Sequence, residues 1–192
     1  MAVPTEMTTL NLSGKYTQNK AQSDDADEIL RLQGVSWVTR TIISKATLYL
    51  TINHRTEDGV EVITVDQVLS GGVGSSSETR VLDWNEREVE DKLFGPVVTR
   101  TRRAKLEELE RDFLKEGWPE DVRELGVINT SGHSDTPKSG RHWIAEMAWG
   151  IQAIEGERKY TRHVYFIGPG GEEITVRLVY DYSKRSQFQS WC

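Results

Sequence analysis

From Thr47 onward the side chains alternate with a period of two, and this pattern constrains the fold more than any other feature. Leu48, Leu50 and Ile52 alternate with Thr47, Tyr49, Thr51 and Asn53, and Glu57-Asp58-Gly59 supplies a hairpin turn. Val60, Val62, Thr64, Asp66 and Val68 then run in opposite phase to Glu61, Ile63, Val65 and Gln67. Residues 71–77 read as a flexible loop. They lack the Lys-Ser/Thr ending of a phosphate loop, and no helix pattern follows. Strand signals return over 78–83, 89–102, 143–154 and 160–167. A last run, 174–182, follows the turn Gly168-Pro169-Gly170-Gly171. Strands joined locally, in chain order, predict an antiparallel up-and-down sheet. Closure into a barrel removes its exposed edges and leaves an interior wide enough for a small ligand.

The remaining segments decorate that sheet. Residues 1–11 are polar and expected to fray, and Gly14 to Asn19 reads as a first strand. Residues 23–46 read as two short helices. Asp25 and Glu28 have capping-box spacing, and Gly34 is a natural left-handed stop. Val35, Val38, Ile42 and Ala46 form one apolar stripe on the second helix. The pair has helix–turn–helix shape but is rich in acids at its start, which argues against DNA. Residues 103–140 read as an insertion. Leu106, Leu109 and Phe113 share one face of a charged helix ending near Gly117, and a polar loop follows over 131–140. The tail, 184–192, is polar apart from Phe188 and Trp191, so the chain reads as one domain over 1–192.

Charge and cysteine content narrow the chemistry. Lys and Arg total 24 against 30 Asp and Glu, a net −6, which disfavours a general nucleic-acid surface. The basic run Arg100, Arg102, Arg103 and Lys105 sits beside Glu107, Glu108 and Glu110, which neutralise it. One cysteine, Cys192, excludes an intrachain disulfide and any multi-cysteine metal site. No apolar run approaches the roughly 20 residues of a membrane helix, and residues 1–13 lack the pattern of a signal peptide. A cytoplasmic protein without membrane insertion is the expectation. No dinucleotide fingerprint, nucleophile elbow or HExxH motif occurs, so the sequence calls for no cofactor and no metal.

A Gly-Lys-Tyr first strand, two short helices containing Gly34-Val35-Ser36-Trp37-Val38-Thr39-Arg40, and consecutive hairpins resemble the fatty-acid-binding branch of the calycin superfamily. The segments Leu82-Asp83-Trp84, Trp149-Gly150, Tyr160-Thr161-Arg162 and Val179-Tyr180-Asp181-Tyr182 look like a lipocalin-like family widespread in fungi. The resemblance spans roughly 10–100 and 142–183. It implies an all-β calycin-like barrel, capped by the helix pair as a lid, with a hydrophobic small molecule inside. Fatty-acid-binding proteins usually hold the ligand carboxylate with Arg-x-Tyr on the last strand. Here the spacing is Arg177-x-x-Tyr180, which on a regular strand puts the two side chains on opposite faces.

These readings nominate a site. Trp143 and Trp149 fall on one strand and suit a flat-walled pocket; Arg177 and Tyr180 stand where the family holds its ligand. Trp37, Val38 and Ile42 belong to the lid and are expected to face the portal. A Trp37→Ala change is expected to cost about 3–5 kcal/mol if the side chain is core, and much less if it is a gate. His54 and His133 read as solvated, while His142 and His163 lie in strands as candidate acid–base groups. The first functional expectation is an intracellular carrier of a lipid or natural-product intermediate. The alternative is a cofactor-free cyclase or isomerase of secondary metabolism, which needs a fitted cavity and one or two polar groups. Oligomeric state has no signal in the sequence.

Overall fold

A computed structural model describes residues 1–72 and 74–184, so most of the expected 184–192 tail, from residue 185 on, lies outside the described residues. Ten strands form one antiparallel sheet: β1 (Gly14–Gln18), β2 (Leu48–Glu57), β3 (Val60–Leu69), β4 (Gly74–Val81), β5 (Arg87–Asp91), β6 (Gly95–Ala104), β7 (Val127–Ser134), β8 (Ile144–Ile154), β9 (Glu157–Ile167) and β10 (Glu173–Lys184). Their order is β4-β3-β2-β1-β10-β9-β8-β7-β6-β5, and the sheet curls into a calycin-like half-barrel. Tight turns set the register. Asp58 and Gly59 between β2 and β3, and Glu155 and Gly156 between β8 and β9, all have positive φ, the two-residue geometry that matches strand twist.

β4 and β5 stand at the two ends of the hydrogen-bonded order and no ladder joins them, so the Trp84 N–H bonded to the Thr101 carbonyl at 2.9 Å and a set of side-chain bridges draw the curl together. Arg80 of β4 donates to Thr101 Oγ1 of β6 at 3.3 Å. Glu61 of β3 accepts from Arg103 of β6 at 2.7 Å and contacts His54 Nε2 at 2.9 Å. Burial works to raise the Glu61 carboxyl, but Arg103 and His54 outweigh it and hold its pKa at about 2. His54, expected to be solvated, is buried instead, and its Nδ1 accepts from the Leu12 N–H at 3.3 Å.

The N-terminal segment is likewise packed where fraying was expected. Val3 and Thr9 are buried, Val3 N–H donates to the Arg158 carbonyl at 2.7 Å, and the Met1 carbonyl accepts from Tyr182 at 2.9 Å. Main-chain bonds hold this segment, and they leave no trace in side-chain polarity.

The helix pair is α1 (Asp27–Leu32) and α2 (Trp37–Lys45). The expected capping box is absent, because Glu28 pairs with Arg31 at 2.6 Å and Asp25 accepts from Asp27 N–H. Gly34 does end α1 in the left-handed region, with Val35 N–H bonded to the Leu30 carbonyl. The apolar side chains within α2 lie at the surface. Trp37, Val38 and Ile42 are 71%, 59% and 40% exposed, and no residue of α2 is buried. Polar contacts orient the helix instead: Arg40 pairs with Asp27, and Lys20 donates to the Ile43 and Ser44 carbonyls at its C-terminal end.

The expected insertion contains the largest correction. Residues 103 and 104 end β6, and 127–134, read as part of a helix-and-loop excursion, form strand β7. The single helix expected between them is broken into a 3-10 turn at Leu106–Glu108, then α3 (Asp112–Lys115) and α4 (Glu120–Leu125); α5 (Thr136–Ser139) follows β7. Leu114, Trp118 and Val122 bury themselves against the outer face of β8 and β9. A Cβ on Gly150 would lie 2.7 Å from the Trp118 ring, so the indole rests directly on the β8 backbone. In consequence β9 is buried from Lys159 to Phe166, on both faces. Among the described residues no helix is long and apolar enough to cross a membrane.

Trp118→Ala should lower unfolding stability by about 3–5 kcal/mol, read from the urea midpoint. Trp37→Ala should change it by no more than about 0.5 kcal/mol, because the side chain is exposed. Glu61 has a folded-state pKa below its unfolded value of about 4.3. Its contribution is therefore complete above that pH and lost as pH falls toward 2, and Glu61→Gln should flatten this part of the acid-unfolding curve.

Candidate ligand cavity

Alternation along β8 sends Trp143, Ala145, Met147 and Trp149 to the concave side, and the register lines up their neighbours. Ala145 pairs with Gly132, Met147 with Thr130, and Trp149 with Ile128 on β7; on β9, Trp149 pairs with Arg162 and Met147 with Val164. The concave side encloses a cavity of about 200 Å³, bounded by these strands, by Val97 and Thr99 of β6, and by Glu78 and Arg80 of β4.

Its deep end is built around Arg162, 7% exposed. The guanidinium lies 4.1 Å from the Trp149 ring centroid and donates through Nε to Tyr160 Oη at 2.8 Å. Tyr180 stacks behind, 5.3 Å from the Tyr160 ring and 5.6 Å from the guanidinium. Burial pushes the Tyr160 phenol up to about 12, even against Arg162, and raises Tyr180 as well, so both stay neutral. Arg80 approaches the Trp149 ring at 5.4 Å, but Glu78 pairs with it at 2.8 Å. Two buried donors here have no partner among the described residues: Arg162 Nη2 and Trp149 Nε1. Each costs about 1–3 kcal/mol unless an acceptor arrives, and an arginine remains charged throughout. The arrangement can therefore receive an oxygen acceptor: a carboxylate, an enolate or a carbonyl.

The outer end is aromatic. Trp143 meets Phe94 edge-on and Phe166 in a stacked pose, both with centroids 6.1 Å away. Gln33, from the end of α1, and Asp91, whose Oδ1 accepts from Leu93 and Phe94 N–H, complete the rim. A second hollow, about 240 Å³, lies between α1 and α2 outside the sheet. Its charged lining is already committed, Arg40 to Asp27 and Lys20 to the end of α2.

Of the nominated residues, Trp143 and Trp149 line the cavity, and Tyr180 backs its deep end. Trp37, Val38 and Ile42 do not line it. Arg177 sits in register with His163 on the opposite face, away from Tyr180, as strand alternation requires. His163 is no acid–base group of the cavity. It is clamped between Phe113 and Trp118, with Nε2 at 3.0 Å from Gln152 Oε1, and burial pushes its pKa down. His142 is exposed. The residue missed as a site member is Arg162, although Tyr160-Thr161-Arg162 has the spacing of two that places both side chains on one face. Thr130 and Gly132 escaped notice along with β7.

No protein-family model matches the chain. It is 29% identical to a probable pericyclase of Mollisia scopiformis over 185 residues, covering 94% of each chain. It is 25% identical to a pericyclase of an Acremonium species over 186 residues, covering 95% of this chain and 97% of that one. Among solved structures, a Schistosoma mansoni fatty acid binding protein in complex with arachidonic acid superposes with TM-score 0.56 at 13% identity. It covers 93% of this chain and 100% of that one. A Caenorhabditis elegans lipid binding protein superposes with TM-score 0.56 at 12% identity, over 89% and 94%. The fold is thus that of the fatty-acid-binding calycins, and the similar sequences are pericyclases from fungi.

Proposed function

We propose that this chain is a cofactor-independent pericyclase, closing a ring within an elongated unsaturated molecule that carries a conjugated carbonyl. The observation that carries the reading is the pair of buried, unpartnered donors, Arg162 Nη2 and Trp149 Nε1, at the end of a cavity whose lining is part aromatic and apolar and part polar. The two pericyclase relatives, matched along nearly their whole length, support it.

A pericyclic ring closure shifts electrons around one cyclic array of carbon atoms. It needs no nucleophile, proton transfer or redox partner. Two contributions remain for the protein. Trp143, Phe94 and Met147 fold the flexible chain into a reactive conformer and prepay its entropy. Donors at Arg162 and Trp149 bond the carbonyl oxygen more strongly as it gains electron density, which lowers the barrier at the conjugated double bond. The carrier reading uses the same cavity without turnover, and the donors would then hold a carboxylate.

Incubation of the purified protein with linear polyenes conjugated to a carbonyl should yield isomers of unchanged mass, resolved by chromatography. Arg162→Met should slow this by about 10²–10³-fold. Its unfolding stability should fall by about 1–3 kcal/mol, because the buried Tyr160 hydroxyl loses the Arg162 Nε donor. An unchanged rate in Arg162→Met would overturn the reading. Binding without isomerisation across the panel would favour the carrier.

A further inference from the structure

Two glycines lie inside strands of the cavity wall, and they differ in kind. Gly150 is required by packing, since the Trp118 ring occupies the space of a Cβ at 2.7 Å. Gly132, in the middle of β7, meets no such obstruction among the described residues. Its φ lies outside the left-handed region, and a Cβ there would meet Thr99 Cγ2 at 3.4 Å and the Val98 carbonyl at 3.7 Å, ordinary contact distances. A glycine inside a strand gives up conformational entropy and side-chain packing, and such positions often mark the close approach of a ligand. Gly132 lines the cavity beside Thr99, opposite Ala145, so the two smallest side chains of the wall face each other across one rung. On the same strand face as Ala145, Trp143 stands about 7 Å to one side and Trp149 about 13 Å to the other. The same cavity holds the second observation, the buried and unpartnered Arg162 Nη2.

We propose that Gly132 is the specificity-determining position of this cavity, leaving the room in which the bulkiest part of the ligand lies while its acceptor oxygen reaches Arg162. The inference rests on the cavity being the functional site. It adds that the ligand is elongated, with its acceptor group about 13 Å from its widest part. Side chains at 132 therefore select among ligands by length and bulk and leave the acceptor subsite intact.

Two acids serve as probes: cis-parinaric acid, a long conjugated tetraene carboxylate, and sorbic acid, a six-carbon diene carboxylate that spans only the deep end. Gly132→Val should weaken parinaric acid by about tenfold or more and leave sorbic acid unchanged, by fluorescence and calorimetry respectively. Gly132→Ala should raise Tm by about 1–4 °C, because the strand gains a side chain that fits. Arg162→Met should lose both acids. If Gly132→Val binds parinaric acid as the wild type does while Arg162→Met loses it, the site stands and the role of Gly132 is overturned. A fall in Tm for Gly132→Ala also overturns it, since the glycine would then be structural. If wild type and Arg162→Met bind alike, or wild type binds neither acid, the cavity reading fails and the proposal fails with it.

Discussion

A guanidinium buried against an indole, with no carboxylate bonded to it, is the constraint on which the rest of the structure depends. Arg162 keeps its charge at every accessible pH, and its solvation is replaced here by Trp149, by the Tyr160 hydroxyl and by two tyrosine rings. Such an arrangement persists only if its strands cannot relax. The segment between β6 and β7 supplies that rigidity. It lays Leu114 and Trp118 on the back of β8 and β9, with Trp118 resting on Gly150 and His163 clamped between Phe113 and Trp118. The strand pair carrying Arg162 and Trp149 is thus packed from both sides, and the cavity is built on the stiffest part of the sheet.

The opposite wall is arranged differently. β4 and β5 end the hydrogen-bonded order, and the curl is drawn together by Arg80 with Thr101 and by Glu61 with Arg103 and His54. Side-chain bridges of this kind separate at lower cost than a backbone ladder, because water can satisfy the charged groups when they part. The cavity therefore has one wall of β7, β8 and β9 in continuous ladder and a facing wall, through Glu78, Arg80, Val89 and Phe94, brought up by the curl.

What was legible in the sequence depended on how many faces of an element meet solvent. β2 and β3 alternate visibly because one face is wet, and their turn residues Asp58 and Gly59 name the hairpin. The second half of β7, residues 131–134, reads as loop in the sequence. The strand's segment Asn129-Thr130-Ser131-Gly132-His133-Ser134 is polar, but Asn129, Thr130 and Ser134 are buried, with Asn129 bonded to the Met147 carbonyl and Ser134 to that of Arg141. A buried polar strand satisfied by hydrogen bonds has no hydrophobic period to detect. The stripe on the second helix shows the converse: Val35, Val38, Ile42 and Ala46 recur at helical spacing, and the helix is indeed there, yet Val35 and Ala46 at its two ends are buried while Val38 and Ile42 are exposed, because periodicity states only that one face is apolar. Arg40 and Lys20 decided which side faces the protein.

By itself, then, the sequence determined the β-rich meander, its turns, the helix pair and the placement of Arg177 and Tyr180 on opposite faces of their strand. These are properties of neighbours along the chain, encoded in spacings of two to four residues. The tertiary structure alone decided which arginine enters the cavity, that Trp143 and Trp149 line it while Trp37 does not, and that Gly132 faces Ala145. Those outcomes depend on register between strands separated by 13 residues or more, as Gly132 and Ala145 are, and on which face the 105–126 segment covers. Neither quantity is carried by local spacing, because the same alternation is compatible with either face until the sheet curls and one of them becomes the inside.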